Sequence, residues 1–160
     1  MAALASAALA FLASAVRAQE TPAPVELRTF PRTELTVVHR DPQHGTQRFL
    51  FDVWVADTQP RAEQGLMFVS DLPENKGMLF PLTPPRVETM WMKNTYIELD
   101  MLFVRPDGHI AKIIARAPPL SLATLSSDEP VGAVVELKGG EAAKLGLLPG
   151  DTVTWKKPTP

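Results

Sequence analysis

The sequence predicts a mostly β protein, a single-domain antiparallel β-sandwich or barrel with two short helices. Hydrophobic residues alternate with other residues in several short segments, most clearly at residues 48–56, as expected for strands with one buried face. Clusters of Gly, Pro, Asp and Asn separate these segments and indicate turns. Long amphipathic helices do not alternate with the strands, so the pattern argues against a parallel α/β sheet.

The clearest strand, residues 48–56, follows a turn-rich segment at residues 41–46 and a β-type run at residues 35–38. One face of this strand carries Phe49, Phe51, Val53 and Val55. Two such runs separated by turn residues predict a β-hairpin.

The remaining elements follow from the same patterns. Further strands are predicted at residues 77–80, 87–92, 97–104, 110–115, 131–137 and 152–155. One short helix is expected to begin near Pro60 and to end at Gly65, and another covers residues 141–145. Prolines at residues 81–85 argue against a helix or a central strand there, and residues 118–130 are expected to form a long loop.

The N-terminal region predicts export. Residues 2–16 are apolar or small and uncharged, and small residues flank a cleavage point before Gln19. We therefore predict a signal peptide at residues 1–18, a Pro-rich linker or arm at residues 19–34 and the folded domain at residues 35–156. The expected location is periplasmic or secreted. The alternative is a retained membrane anchor, but this apolar run is short for a bilayer core of about 30 Å.

Composition excludes several classes of function. The chain has no cysteine, which excludes disulfides, thiolate catalysis and zinc–cysteine sites. After signal cleavage the chain would carry 15 basic and 18 acidic residues, and the basic residues form no stripe, so a nucleic-acid partner is not expected. Motifs of phosphate-binding loops, dinucleotide-binding folds, zinc proteases and serine hydrolases are absent from the sequence.

Two acidic residues fall inside apolar strands. Asp100 shares a strand face with hydrophobic residues, so either the carboxylate has a partner or it lies at the open end of a cleft. Lys93, Arg61 and Asn94 are the candidate partners. Glu136 lies in a similar position, near the end of strand 131–137. These groups are compatible with acid–base catalysis, but a polar network that fixes strand register is the more common explanation.

Trp91 precedes Lys93 and Asn94 at a predicted strand end. A tryptophan on a rim can stack on a sugar or another ring, and Trp54 and Tyr96 could extend such a platform. The simpler alternative is that Trp91 packs in the core.

The methionines at residues 67–101, together with the histidines, raise the alternative of copper(I) binding. Methionine is also an ordinary filler of irregular cores. No metal or other cofactor is therefore predicted.

Several ordered blocks of the sequence resemble one family. The blocks are ADTxxRxxxGLM at residues 56–67, GMLF at 77–80, WMKNT at 91–95, LD at 99–100, DG at 107–108, VEL at 135–137 and GD at 150–151. They are similar to the DUF192 family, also called UPF0127, over roughly residues 35–155. The resemblance implies a small β domain, often exported in bacteria, whose biochemical function is not established and which has no accepted catalytic residue. The polar motif residues that it carries over are Arg61, Lys93, Asn94, Asp100 and Glu136.

Three functions remain open from the sequence. The first is binding of a small polar ligand, such as an envelope saccharide, in a cleft near Trp91–Asp100. The second is a hydrolase or lyase that uses Asp100 or Glu136 as acid or base. The third is a structural or protein-interaction domain without a small ligand. The candidate ligand-binding residues are Arg61, Trp91, Lys93, Asn94, Asp100 and Glu136.

Overall fold

The computed structural model describes residues 26–156, and the expected mostly β architecture is confirmed. The predicted signal peptide and residues 19–25 of the predicted linker lie outside the described residues. The strands of the described chain are β1 (Arg32–Asp41), β2 (Gly45–Val55), β3 (Lys76–Met90), β4 (Leu99–Val104), β5 (Ile110–Ala117), β6 (Leu125–Lys138) and β7 (Thr152–Trp155). The helices are α1 (Gln59–Gln64) and α2 (Glu141–Lys144), with a 3₁₀ turn at Leu27–Thr29.

The strands form a single sheet in the order β5-β4-β6-β3-β2-β1-β7. The sheet is mixed rather than wholly antiparallel, because α1 and its flanking loops carry the chain across so that β2 and β3 run parallel. The ends of the sheet approach each other through one bridge between His109 and Thr152. The sheet therefore curls towards a barrel without a closed ladder.

The predicted hairpin and both predicted helices are confirmed. β1 and β2 pair antiparallel from Arg32–Trp54 to the turn. Thr58 precedes α1 without a side-chain capping hydrogen bond, and Gly65 ends the helix at φ 51°, a value that favours glycine.

Strand structure extends into two segments where the sequence did not predict it. β3 continues through residues 81–85, because its pairing with β2 ends at Leu79 and the prolines need not donate to a ladder on that side. The pairing of β3 with β6 also shifts register between Pro81 and Arg86, which accommodates the missing donors. The loop predicted at 118–130 is shorter than expected, since β6 begins at Leu125.

Hydrophobic side chains pack on both faces of the sheet. One core draws on every strand from β1 to β7 and on α2. The second core lies on the opposite face of β3, β4 and β6, where segments containing Phe30, Leu66, Leu72 and Met92 cover it. Side chains of consecutive strand residues point to opposite faces, so neighbouring positions on β4 and β6 serve different cores. Within residues 26–156, no helix is long and apolar enough to cross a membrane.

Candidate functional site

Asp100 lies on β4 and is fully buried. Its Oδ1 accepts hydrogen bonds from the backbone N–H groups of Arg116 at 2.8 Å and Gly140 at 2.9 Å. Its Oδ2 accepts a hydrogen bond from the backbone N–H of Ala142 at 2.8 Å. The carboxylate thus joins β4 to the end of β5 and to the start of α2.

The expectation that Lys93, Arg61 or Asn94 pairs with Asp100 is wrong. Backbone amides take that role, because the Gly139-Gly140 turn brings peptide N–H groups onto the carboxylate and these groups satisfy a buried anion. Asp100 is therefore buried in a structural environment.

Glu136 lies on β6 and points to the other face of the sheet. Its neighbours across the strands are Met78 on β3 and Met101 on β4, both fully buried. The side chain is only 4% exposed. Its Oε2 has no hydrogen-bond partner among the described residues.

Burial raises the pKa of the Glu136 carboxyl group from 4.5 to about 8. The physical cause is desolvation, since the apolar surroundings penalise the charged form. At neutral pH this side chain is mainly a neutral acid, which can both donate and accept a hydrogen bond.

The carboxyl group of Glu136 borders a small side pocket of about 20 Å³. This volume accommodates about one water-sized atom. The pocket lies beside the end of α1, at Gly65. A Cβ added to Gly65 would lie 4.0 Å from Oε2 of Glu136 and 3.2 Å from Cζ of Phe80. Trp91, Met67 and Thr95 form other parts of its wall.

The side pocket adjoins a larger groove of about 540 Å³ between α1 and the second half of β3. Both cavities are bordered by Glu63, Phe80, Met90 and Trp91. The other polar side chains that line the groove are Asp57, Thr58, Gln59, Thr83, Arg86, Glu88 and Thr89. The lining thus combines apolar and polar side chains, and the volume falls in the usual range of ligand sites.

Trp91 stands at the rim shared by the two cavities and is 53% exposed. The Nζ of Lys93 lies 5.7 Å from its ring centroid, a cation–π distance. Asn94 has φ 55°, and its carbonyl accepts a hydrogen bond from the backbone N–H of Phe68 at 2.9 Å. Asn94 thereby fixes the turn beside the side pocket.

Arg61 is not among the residues that line the groove or the side pocket. Its guanidinium group donates to Asp57 at 2.6 Å and to the carbonyl of Thr29 at 2.9 Å. It also lies 5.5 Å from the ring centroid of Phe30. Arg61 therefore fastens α1 to the chain that precedes β1.

The structure brings Trp91, Lys93, Asn94 and Glu136 to one region and separates Asp100 and Arg61 from them. The sequence analysis missed the groove residues on α1 and on the second half of β3. One available signal was the i, i+4 spacing of Gln59 and Glu63, whose side chains form a hydrogen bond of 2.8 Å.

Glu141 is a second buried acid, at the start of α2. Its Oε1 accepts a hydrogen bond from the backbone N–H of Asn75 at 2.8 Å. Its Oε2 lacks a partner within the described part of the chain. Burial raises its pKa. Glu141 borders a separate cavity of about 210 Å³ with the basic residues Arg116, Lys138 and Lys144.

Met78, Met92 and Met101 are fully buried and pack in the second core, as expected of methionines that fill a core. Across residues 26–156, no group of three or more His, Asp or Glu side chains could hold a metal ion.

Comparison with known proteins places the sequence in one family. The model of DUF192, described as an uncharacterised ACR, matches residues 40–155. No curated protein matches the chain significantly.

Two crystal structures are similar to the chain. One, from Novosphingobium aromaticivorans DSM 12444, is a protein of unknown function; it is 36% identical with a TM-score of 0.74, and the match covers 86% of this chain and 94% of that chain. The other is a proposed transcription regulator from Sinorhizobium meliloti 1021. It is 36% identical with a TM-score of 0.73, and the match covers 79% of this chain and 95% of that chain. The chain, a small β domain, belongs to the DUF192 family.

Proposed function

We propose that the domain is a binding module for a small polar ligand with a ring-shaped apolar face, and that an envelope saccharide is the ligand class to test first. The observation that carries this proposal is the exposed indole of Trp91 at the end of a groove with polar walls. Pyranose rings combine an apolar face, which stacks on indole, with hydroxyl groups, which bond to polar side chains.

The charges of the groove favour a neutral ligand over an anionic one. Asp57, Glu63 and Glu88 outnumber the single basic side chain, Arg86, among the described residues that line the groove. Arg86 is paired with Glu88 at 2.8 Å. Asp57 is likewise paired with Arg61 at 2.6 Å, so the described lining offers an anionic ligand no cation that is free of a carboxylate partner.

The proposed site of action is outside the cytoplasm. This proposal is supported by the apolar, uncharged residues 2–16 and the small residues before Gln19. Cell fractionation should find the protein in the periplasm or medium with an N-terminus at Gln19, and recovery in the cytoplasm alone with Met1 intact would contradict the proposal.

We do not propose a nucleic-acid partner. Many basic side chains of the described chain are engaged in ion pairs with acidic neighbours, among them Arg61, Lys76, Arg105, Lys112 and Lys144. These pairs support the expectation, since a basic side chain held by an acidic neighbour is less available to a phosphate group.

The binding proposal is tested by calorimetry with three neutral oligosaccharides: N,N′-diacetylchitobiose, called chitobiose below, cellotriose and laminaritriose. The wild type should bind at least one of them, and Trp91→Ala should weaken that binding about tenfold, as expected for loss of one stacking contact. Trp155→Ala is the matched control, because Trp155 is also exposed, at 37%, but does not line the groove. Absence of heat with every saccharide would reject the proposal and favour a protein-interaction domain.

A second candidate, an acid–base hydrolase or lyase, is favoured by one observation. Glu136 is a carboxyl group with a pKa raised to about 8 by burial, and exposed Glu63 borders the same side pocket. Two carboxyl groups in unlike environments are the arrangement that general acid–base catalysis uses. Asp100 is not part of this candidate, because its oxygens are bonded to backbone amides.

Turnover separates the two candidates. An enzyme should hydrolyse 4-nitrophenyl glycosides, and Glu136→Gln should abolish hydrolysis because an amide cannot transfer the proton. A binding module should show saccharide binding without turnover.

A further inference from the structure

We propose that Glu136 recognises the groove ligand by donating a hydrogen bond to a single neutral oxygen, of a hydroxyl or a carbonyl group, that enters the side pocket. This inference rests on the binding function proposed above and names the polar contact that would select the ligand.

The first support is an unsatisfied atom in the right place. Oε2 of Glu136 has no hydrogen-bond partner in the part of the chain that the structure describes, and the side chain is 4% exposed. A buried polar atom without a partner destabilises the protein, so an oxygen that enters the pocket gains a contact that the free protein lacks.

The second support is size. The side pocket has about 20 Å³, room for one water-sized atom. A sulfate, phosphate or carboxylate group is too large for that volume. A hydroxyl group projecting from a ring that stacks on Trp91 fits it, because Trp91 borders both the groove and the side pocket.

The third support is charge. The sheet neighbours of Glu136, Met78 and Met101, carry no charge. From α1, Glu63 borders the pocket; in the adjoining groove, Glu88 and Arg86 form a pair. Lys93 lies over Trp91.

The apolar wall favours the neutral form of Glu136, and burial raises its pKa to about 8. A neutral acid donates to an uncharged oxygen and offers little to an ammonium group.

The test is calorimetry with chitobiose at pH 6 and pH 9. Wild-type affinity should fall about tenfold at pH 9, because a carboxyl group with a pKa of about 8 is then about nine-tenths ionised. Glu136→Gln should bind as the wild type does at pH 6 and should lose the pH dependence, since the amide also donates. Glu136→Leu, which donates nothing, should lose at least about tenfold at pH 6.

Glu141→Gln is the matched control, because Glu141 is also buried, also has an oxygen without a partner among the described residues and borders a different cavity. It should bind chitobiose with the wild-type pH profile. If Glu141→Gln lost as much affinity for chitobiose as Glu136→Leu does, the effect would not be specific to the side pocket, and this result would overturn the inference.

A ligand-linked shift gives an independent measurement. The ¹³C signal of the Glu136 carboxyl should titrate at a higher pH with saturating chitobiose than without it, because the ligand binds the protonated form. This readout, with Glu136→Gln, remains decisive if Glu136→Leu does not fold.

The outcomes distinguish the two proposals. If Trp91→Ala loses binding and every Glu136 variant retains it, the groove function stands and the inference fails. If affinity rises with pH, Glu136 binds a cation as a carboxylate and the inference fails. If the wild type gives no heat with chitobiose or with the other two saccharides, the groove function fails and this inference fails with it.

Discussion

Asp100 and Glu136 are buried carboxyl groups on neighbouring strands, and their surroundings differ in one decisive respect. The oxygens of Asp100 accept hydrogen bonds from backbone amides of β5 and α2. Oε2 of Glu136 has no partner among the described residues, and it faces a pocket. Burial of an acid is therefore no sign of function by itself. An unsatisfied oxygen beside a cavity is a better sign.

The two residues also serve different faces of one sheet. Asp100 pairs with Leu137 and Glu136 pairs with Met101, so the carboxyl groups project in opposite directions. A site that uses both of them cannot form in this fold.

The largest expected effect comes from Asp100→Asn. The amide nitrogen would face backbone N–H groups that now donate to the carboxylate, leaving buried donors unpaired. We expect the free energy of unfolding to fall by about 3–5 kcal/mol, as when a buried charge network loses one partner. Urea denaturation measures this change.

Asp107→Asn is the control for this substitution. Asp107 accepts one hydrogen bond from the backbone N–H of His109 at 3.0 Å, at an exposed turn, and a small effect is expected. A loss of less than about 1 kcal/mol for Asp100→Asn would contradict the structural role, since each hydrogen bond to a buried charge contributes more than that.

The second effect is a pH dependence due to Glu136. Its pKa is about 8 in the folded protein against 4.5 as the ordinary value, so the folded state binds the proton more tightly than the unfolded state. The contribution of Glu136 to the free energy of unfolding is then fully present below about pH 4.5, and it is lost as the pH rises to about 8. The slope approaches 1.4 kcal/mol per pH unit, and the loss between pH 5 and pH 8 is on the order of 3 kcal/mol.

Glu136→Gln should remove this dependence and should make the variant more stable than the wild type at pH 8. Urea denaturation from pH 5 to pH 9 measures both proteins. Glu141→Gln should leave most of the wild-type slope in place. A wild-type curve that gains stability from pH 5 to pH 8 would show that Glu136 is ionised in the folded protein.

The sequence could predict most of the fold but could not distinguish these two acids. The alternation of Phe51, Val53 and Val55 fixed their shared core face, and Gly65 marked the end of α1. Asp100 and Glu136 both occur as single acids in apolar strands, and the pattern of a strand does not reveal which backbone amides approach it. The amides that satisfy Asp100 come from Gly140 and Ala142, which lie 40 and 42 residues away.

The sequence analysis did not predict the groove, for a related reason. Its far wall is the second half of β3, where prolines suggested a loop. A strand can contain prolines when one of its edges is unpaired, and the end of the β2 ladder at Leu79 is a property of the whole sheet rather than of the local sequence.

A smaller effect is expected for Gly65→Ala, which alters the wall of the side pocket. Gly65 has φ 51°, and a Cβ there would lie 3.2 Å from Cζ of Phe80. We expect a loss of about 1–3 kcal/mol and a further rise in the pKa of Glu136, because the added methyl group excludes water from Oε2. Gly146→Ala is matched in φ, at 67°, but has open space around it. Gly146→Ala should therefore lower the free energy of unfolding by less than Gly65→Ala does. Equal losses of stability in the two variants would contradict crowding of the added methyl group against Phe80.

The smallest effect on stability is expected for Trp91→Ala. The indole is 53% exposed, and its cation–π contact with Lys93 at 5.7 Å contributes about 0.5–1 kcal/mol at an exposed site. The free energy of unfolding should therefore fall by no more than about 1 kcal/mol, while saccharide binding falls about tenfold. A loss of about 3 kcal/mol or more would identify Trp91 as a core residue. Asp100 and Trp91 would then both be structural, and only Glu136 would remain as a candidate contact with a ligand.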